Sequence, residues 1–337
     1  VVRDWSTAIG QWTQFPYTST FEIVPLDATA GWARRLWPNR SCLGATTGFG
    51  GETKISMGEA WWGWYRLVRQ RYLTPLTITF AFVATHNHFV LDRGGKVFKQ
   101  SAPVIKLPEG ATEDDHLALL GVLNSSTACF WLKQNSHNKG DSTDKQGARV
   151  TGDPAFDTYE FTGTTLQDYP LPADLPLERA RNLDRDATAL AAFLPEVVSP
   201  GTVPTLDALE RARTDAERIR ARMIAVQDEL DWEVYAAYGL TPEPLTYHGD
   251  DLPGLALGER AFEIALARRL AAGTEESQWF SRHGSVPITE LPTHWPAGYR
   301  DLVQRRLDLM ASDRNIGLLE RPEFKAMFLD DLLNGSR

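Results

Sequence analysis

The chain has 337 residues, of which 42% are hydrophobic and 23% charged, an ordinary globular composition long enough for two or three domains. No apolar run approaches the roughly 20 residues that span a bilayer, and no basic-then-apolar signal segment opens the chain. Two cysteines, Cys42 and Cys129, provide neither a disulfide framework nor a metal cluster, so we expect a cytoplasmic protein. The abrupt start, "VVRDWS", is typical of the middle of a β element and leads us to expect a piece of a longer protein.

The net charge of −9 is unevenly distributed. Residues 1–108 carry 12 lysines and arginines against 6 acidic residues, whereas residues 109–337 carry 23 against 38. The local field matters more than the total charge when the ligand is a polyanion. The basic first part is therefore compatible with DNA binding.

Residues 1–60 alternate short apolar runs with Gly, Thr and Pro, which predicts short strands and turns. From Glu59, "EAWWGWYRLVRQRYL" has helical spacing, and Pro75 would end that helix. "LTITFAFVAT" and "HFVLD" predict strands, Asp92 to Gly95 a hairpin-type turn, and "GGKVFKQSAPVIKLP" another pair of strands.

After Pro108 the pattern becomes helical. Thr112 is a candidate N-cap for a long apolar helix that ends near Gln134. A polar loop follows, then a closing strand in "TYEFTGTTLQDYPLP". From Pro176 onward the spacing predicts helices, including a long amphipathic helix or helical hairpin that begins near Thr205. We expect an α+β fold, a mixed β-sheet domain followed by helical regions, with Trp232, Tyr235 and Tyr238 packed along one helical stripe.

The segment "THNHFVLDRGGKVFK" (85–99) combines two histidines with three basic residues. His86 and His88 would share one face of a strand, but zinc needs two more ligands nearby. Hydrogen bonding at the surface by His86, Asn87 and His88 fits better than a metal site. Arg93, Lys96 and Lys99 would then contact phosphates beside the turn.

Two further segments leave alternatives open. "GFGGETK" lacks phosphate-loop or dinucleotide-loop spacing, so it is either a flexible turn or a backbone that approaches a ligand beside Lys54. In "WWGWYRLVRQR" the aromatic residues are either core or stacking platforms, and Arg66, Arg69 and Arg71 would form a basic edge suited to phosphates.

The loop "NSHNKGDSTDKQGAR" contains side chains that can hydrogen-bond to base edges, namely Asn135, His137, Asn138, Lys139, Lys145, Gln146 and Arg149. Of these, we expect Asn138, Lys139, Gln146 and Arg149 to contact DNA. The alternative is a solvated loop without a partner. The sequence shows no nucleophile–base triad, paired-carboxylate site or metal motif.

Together, "LWPNR…GFGGETK", "EAWWGWYRL", the 75–108 block, "LLGVLNSSTACFWLKQ", "FTGTTLQDYPLP", "QDELDWEVYAAYGL" and "RNIGLLERPEFK" resemble the C-terminal part of large adenine-specific DNA methyltransferases. The similarity is greatest to the methyltransferases of phage growth limitation (BREX-type) defence systems, with type IIG restriction–modification enzymes more distant. It extends over nearly the whole chain.

The resemblance implies a target-recognition domain over 1–175, a helical spacer over 176–240 and a C-terminal helical region over 241–337. It also implies double-stranded DNA as the partner and S-adenosylmethionine as the parent protein's cofactor. The family's Asn-Pro-Pro-Tyr motif and cofactor loop are missing here, so no catalytic residue is carried over. We expect this chain alone to be non-catalytic and to hold no cofactor.

Two other interpretations stay open. The chain could be a complete enzyme with an unrecognised site, which an assay for methyl transfer would reveal. It could also be a protein-interaction module that docks other defence-system components or a phage inhibitor, because residues 109–337 are acidic and helical.

Overall fold

The computed structural model describes residues 2–3, 5–7, 13–48, 50–65, 67–69, 72, 74–98, 100–141, 154–193, 205–326 and 328. By its internal contacts the chain divides into two units. One comprises Val1–Ala8 with Leu76–Arg337, and the other comprises Ile9–Pro75. The structure combines helices with small antiparallel sheets, so the α+β fold class is confirmed.

The first unit contains three small antiparallel sheets. The strands are β1 Val2–Arg3, β2 Ser6–Thr7, β3 Thr77–Phe80, β4 Val83–Ala84, β5 Phe89–Asp92, β6 Val104–Ile105, β7 His137–Asp141 and β8 Asp157–Glu160. Strands β1 and β2 pair with each other, the second sheet has the order β5-β3-β6, and the third has the order β4-β8-β7.

Helices make up most of the rest of this unit. Their numbering starts at α3 because helices α1 (Gly31–Leu36) and α2 (Arg40–Gly44) belong to the second unit. The helices of the first unit are α3 Glu113–Leu123, α4 Ser126–Asn135, α5 Gly163–Gln167, α6 Leu177–Ala191, α7 Leu206–Ala237, α8 Ala261–Ala271, α9 Trp279–His283, α10 Ala297–Ser312 and α11 Arg314–Leu319. Helix α7 is one continuous helix of 32 residues, which settles the choice between a long helix and a hairpin. Among the described residues, no helix has the length and apolar composition to cross a membrane.

One predicted helix is two helices in the structure. Thr112 caps α3 as expected, in a capping box with Asp115. The helix then ends at Leu123 instead of continuing to Gln134, because the Ser125 side chain accepts a hydrogen bond from the backbone N–H of Ala128 and starts α4. The double serine after Asn124 was the signal for this break.

The predicted β-hairpin after Asp92 is absent. Gly94 and Gly95 have φ of 97° and 78°, which glycine tolerates best, and the chain does turn there. Residues 96–98 form no strand, however, and β6 pairs with β3 in the register Thr79↔Val104, on the side of β3 opposite to β5.

Among the described residues, the larger of two hydrophobic clusters joins the sheets to the later helices of this unit. Its fully buried members come from strands and helices alike: Ile78, Phe89, Leu120, Leu132, Leu183, Leu230, Trp232, Tyr235 and Tyr299. Burial of Trp232 and Tyr235 confirms them as packing residues, while Tyr238 packs against the same core and is partly buried. Contacts mark no boundary at residues 175 and 240, and the functional division there stays a prediction.

The second unit begins its regular structure with α1 Gly31–Leu36, a 3-10 turn at Trp37–Asn39 and α2 Arg40–Gly44. The predicted helix from Glu59 is wrong: residues 59–65 form turns. The indole N–H groups of Trp62 and Trp64 donate to the carbonyl oxygens of Val24 and Gln14, both at 2.9 Å. These long-range bonds override the local helical spacing.

Candidate nucleic-acid interface

The histidine–asparagine segment lies inside the first unit, not on its surface. The Asn87 amide donates to the carbonyl oxygens of Leu123 (2.5 Å) and Ser125 (3.0 Å). Because carbonyls at a helix C-terminus lack helical partners, Asn87 satisfies the end of α3. His86 is also buried, and its ring lies 4.5 Å from the half-buried ring of His88. The predicted surface position of His86 and Asn87 is therefore wrong.

Asn124, the residue that follows α3, provides a second link between β5 and the end of that helix. The Asn124 side chain accepts from the Phe89 N–H at 3.0 Å and donates to the Phe89 carbonyl at 2.9 Å. Asn87 and Asn124 thus fasten the start of β5 to the α3–α4 junction.

Within the described part of the chain, no group of three or more His, Cys, Asp or Glu side chains could hold a metal ion.

Arg93 is bound by carboxylates instead of projecting freely. Its guanidinium donates to Glu113 Oε1 at 2.6 Å and to Asp184 Oδ2 at 2.7 Å. The hydrogen bond with Asp184 is the main reason that the pKa of Arg93 is raised above its ordinary value. Arg93 ties the end of β5 to α3 and α6, and a phosphate would have to displace two carboxylates.

The neighbouring lysines differ in position. Lys96 is half-exposed, and its Nζ lies 3.5 Å from Asp92 Oδ1, so it can still contact a phosphate. Burial raises the pKa of Asp92, and the charge of Lys96 opposes that shift. Lys99 lies outside the described residues.

Lys54 belongs to the interior of the second unit. It is 3% exposed, and its ammonium donates to the carbonyl of Gly63. Burial lowers its pKa, while Glu59 opposes that shift. The prediction that Lys54 lies beside a ligand-facing loop is thus at odds with its burial. Arg69 of the predicted basic edge is exposed, whereas Arg66 and Arg71 lie outside the described residues.

The polar residues after α4 lie on β7, an edge strand of the β4-β8-β7 sheet. Asn138 and Lys139 are both exposed. The Asn138 amide donates to Asp157 Oδ2 at 3.2 Å, and Lys139 pairs with Glu160 on β8. These are exposed contacts of the kind that contributes little stability and exchanges readily. The other two predicted base readers, Gln146 and Arg149, lie outside the described residues, as does Lys145.

Helix α4 contacts both strand β8 and the turn at Pro322–Phe324. Lys133 is buried, and its ammonium donates to the carbonyl of Glu323 at 2.5 Å. The same ammonium lies 5.1 Å from the ring centre of Tyr159 on β8. The Phe130 ring packs edge-to-face against Phe324 at 5.2 Å. Burial lowers the pKa of Lys133, and nearby Cys129 and Glu323 oppose that shift.

Sequence reasoning missed a basic group in the second unit. Arg34, Arg35 and Arg40 are exposed on α1 and α2, and Trp37 between them is 47% exposed. A signal was available, since residues 28–51 contain these three arginines and no aspartate or glutamate.

Sequence reasoning also missed a buried ionic network at the C-terminal side of the first unit. The Arg306 guanidinium is fully buried and donates to Asp228 Oδ2 at 2.8 Å and to Glu229 Oε1 at 2.7 Å. Lys325 pairs with Glu320 and lies 3.2 Å from Asp231 Oδ2. Four buried carboxyls thus face two buried cations, which makes a protonated carboxyl favourable. Burial raises the pKa of Asp228 to about 7, with Arg306 opposing the shift.

The excess of buried carboxyls over buried cations predicts that the folding stability depends on pH. Asp228 binds its proton more tightly in the folded state than at its ordinary value of 3.8. The stabilisation is therefore complete below about pH 4 and is lost as the pH rises through about 7. The slope is at most about 1.4 kcal/mol per pH unit. Asp228→Asn should flatten the dependence in urea titrations between pH 5 and 8, and identical slopes for variant and wild type would contradict the assignment.

A depression of about 530 Å³ on α7 is lined, among the described residues, by side chains of that one helix: Asp207, Glu210, Arg211, Thr214 and Asp215. None of these five residues is aromatic, so they do not offer a stacking surface for the adenine ring of S-adenosylmethionine.

Two comparisons relate the chain to known proteins. A family model described as a domain of unknown function, DUF7008, matches residues 223–332, which include the buried ionic network. The chain is also 50% identical over 329 residues to the adenine-specific methyltransferase PglX of Streptomyces coelicolor. This stretch covers 96% of the chain but 27% of PglX, so the chain spans about a quarter of that relative. The resemblance inferred from the sequence is thereby confirmed: nearly all of this chain is similar to one part of an adenine-specific methyltransferase.

Proposed function

We propose that this chain is the DNA-recognition part of an adenine-specific methyltransferase that acts in anti-phage defence. The observation that carries the proposal is the 50% identity to PglX over 96% of the chain. In the proposed parent protein, a separate domain binds S-adenosylmethionine and transfers its methyl group to adenine in DNA. This chain supplies double-stranded DNA binding and site selection.

The β7–β8 ribbon supports a role in reading bases. In the major groove of B-DNA each base pair presents a distinct pattern of donors and acceptors, which side chains on the exposed β7 edge of the β4-β8-β7 sheet would contact. β7 is an edge strand of its sheet and carries exposed Asn138 and Lys139. Asn pairs bidentately with adenine, and Lys donates to guanine.

Phosphate contacts and base contacts have different consequences. Contacts from exposed cations such as Lys96 and Arg69 would set affinity and orientation without sequence information. A base contact from Asn138 would select the sequence. The proposed division of labour therefore separates residues whose loss weakens all DNA alike from residues whose loss relaxes one base pair.

Titration against duplex DNA tests the proposal. We expect the chain to bind a selected duplex more tightly than a scrambled one, measured by fluorescence anisotropy at several salt concentrations. Asn138→Ala should cost about 1–3 kcal/mol on the selected duplex and little on the scrambled duplex.

The matched control is Asn135→Ala, because Asn135 is also exposed and its amide donates to the carbonyl of Trp131 within α4. Absence of duplex binding by the wild-type chain at low salt would overturn the proposal and favour a protein-interaction module. An unchanged selectivity of Asn138→Ala would remove only the base-reading role of that residue.

A further inference from the structure

The second unit exposes an arginine–tryptophan surface, defined here as Arg34, Arg35, Trp37 and Arg40. Helix α1, the 3-10 turn and α2 follow one another without a gap from Gly31 to Gly44. Residues three apart on a helix are neighbours, so Arg34, Trp37 and Arg40 form one stripe. At the usual rise per residue this stripe is about 10 Å long.

The stripe is preorganised by its own aromatic residue. The Arg40 guanidinium lies 4.9 Å from the Trp37 ring centre, within cation–π distance, and donates to the Trp37 carbonyl at 3.2 Å. Trp37 packs edge-to-face against Trp61 at 5.9 Å, and Trp61 packs in the same way against Trp62 at 5.7 Å. An arginine stacked on a ring still presents its N–H edge outward.

The charges of this surface are not neutralised locally. Over the part of the chain that the structure describes, Arg34, Arg35 and Arg40 form no ion pair with a carboxylate. Arg34 has one weak contact, from Nε to the Ala28 carbonyl at 3.4 Å. By contrast, several arginines of the first unit pair with carboxylates, for example Arg181 with Asp114 and Arg213 with Glu217.

The chemistry of this surface fits a chain of phosphates. Guanidinium groups bind phosphate oxygens bidentately, and repeated cations without carboxylates favour a partner with repeated negative charge. One DNA strand places a phosphate every 3.4 Å along the helix axis, so a stripe of about 10 Å matches about three nucleotide steps. A tryptophan left exposed among them is the large, rigid side chain that interfaces favour.

We propose that the arginine–tryptophan surface binds the sugar–phosphate backbone of double-stranded DNA, with Trp37 as a positioning residue for Arg40. This inference rests on the proposed function and adds a surface that none of the base-reading candidates supplies. The contacts carry no sequence information, so they strengthen binding to every duplex equally.

The test compares two triple variants of the whole chain with the same charge change. Arg34→Gln/Arg35→Gln/Arg40→Gln should bind selected and scrambled duplexes with the same fractional loss of affinity. Its plot of log affinity against log salt should be shallower by about two to three units, about one per lost contact. The control Arg181→Gln/Arg213→Gln/Arg218→Gln removes carboxylate-paired arginines and should leave the slope unchanged.

A second set of variants tests the role of Trp37. Trp37→Leu should reduce the salt slope as much as Arg40→Gln does, and combining the two should add nothing further. Trp37→Phe keeps an aromatic ring under the guanidinium and should restore most of the slope. Circular dichroism melts should show that each variant is folded, as expected for exposed positions.

The outcomes separate the two proposals. If the wild-type chain binds duplex DNA but the Arg34/Arg35/Arg40 variant keeps the wild-type slope, this surface is not a DNA contact, and the proposed function still stands. If the wild-type chain binds no duplex, both proposals fail. A loss restricted to the selected duplex would also overturn the backbone assignment, because it would indicate base reading.

Discussion

Replacing Arg306 with methionine is expected to lower the free energy of unfolding by about 3–5 kcal/mol. The guanidinium is completely buried and donates to two buried carboxylates, Asp228 and Glu229. Methionine fills much of the volume but leaves those carboxylates uncompensated inside the protein. Urea-induced unfolding followed by tryptophan fluorescence measures the change.

The control for Arg306 is its immediate neighbour. Arg305 lies on the same helix, is half-exposed and pairs with Glu243 at the surface. Arg305→Met should therefore cost no more than about 1 kcal/mol. The deficit of Arg306→Met should also shrink as the pH falls from 8 to 5, because the unpaired Asp228 carboxyl, whose pKa is already raised by burial, can then be protonated. A deficit that is equal for both variants, or independent of pH, would contradict the assignment of a buried ionic network.

Replacing Trp232 with alanine is expected to cost about 3–5 kcal/mol of folding stability. Trp232 is fully buried, packs edge-to-face against Tyr235 at 5.3 Å and lies 5.1 Å below the Arg306 guanidinium. The substitution removes the aromatic platform and leaves a cavity in the core. The same urea titrations measure the loss.

Leu206→Ala is the matched control for Trp232→Ala. Leu206 lies on the same helix but is 69% exposed, so its truncation should change stability by no more than about 0.5 kcal/mol. An unchanged urea midpoint for Trp232→Ala would show that α7 is not anchored through this residue. Because Trp232 and Arg306 are in contact, the losses of their two variants should not be additive.

Local signals predicted the helices well where the apolar spacing was clear. Pro176 and the amphipathic sequence after it predicted the start of α6, and Thr205 predicted the start of α7. The same spacing predicted an amphipathic helix, yet residues 223–232 are buried on every side, including the acidic residues Asp228, Glu229 and Asp231. Their partners Arg306 and Lys325 lie 77 to 94 positions later, a distance that helical periodicity cannot reveal.

The candidate site shows the same limit in a different form. Asn87 is chemically suited to reading adenine, but its amide donates to the carbonyl oxygen of Leu123, 36 residues away at the end of α3. Arg93 is chemically suited to a phosphate, but Asp184 on α6 binds it from 91 positions away. Residue type predicted the capacity for hydrogen bonding in both cases. Only tertiary contacts decide whether the partner lies inside or outside the protein.

Helix α4 is held by the turn at Pro322–Phe324, and this has a consequence for exchanging strands β7 and β8 between related proteins. β7 begins two residues after α4 ends, and α4 is held to Pro322–Phe324 through Lys133 and Phe130. A graft of residues 126–160 into another protein would leave the Lys133 ammonium buried without its carbonyl acceptor at Glu323. A transplant that keeps the strand in register must therefore carry residues 320–326 as well, although nearly 200 positions separate the two pieces in the chain.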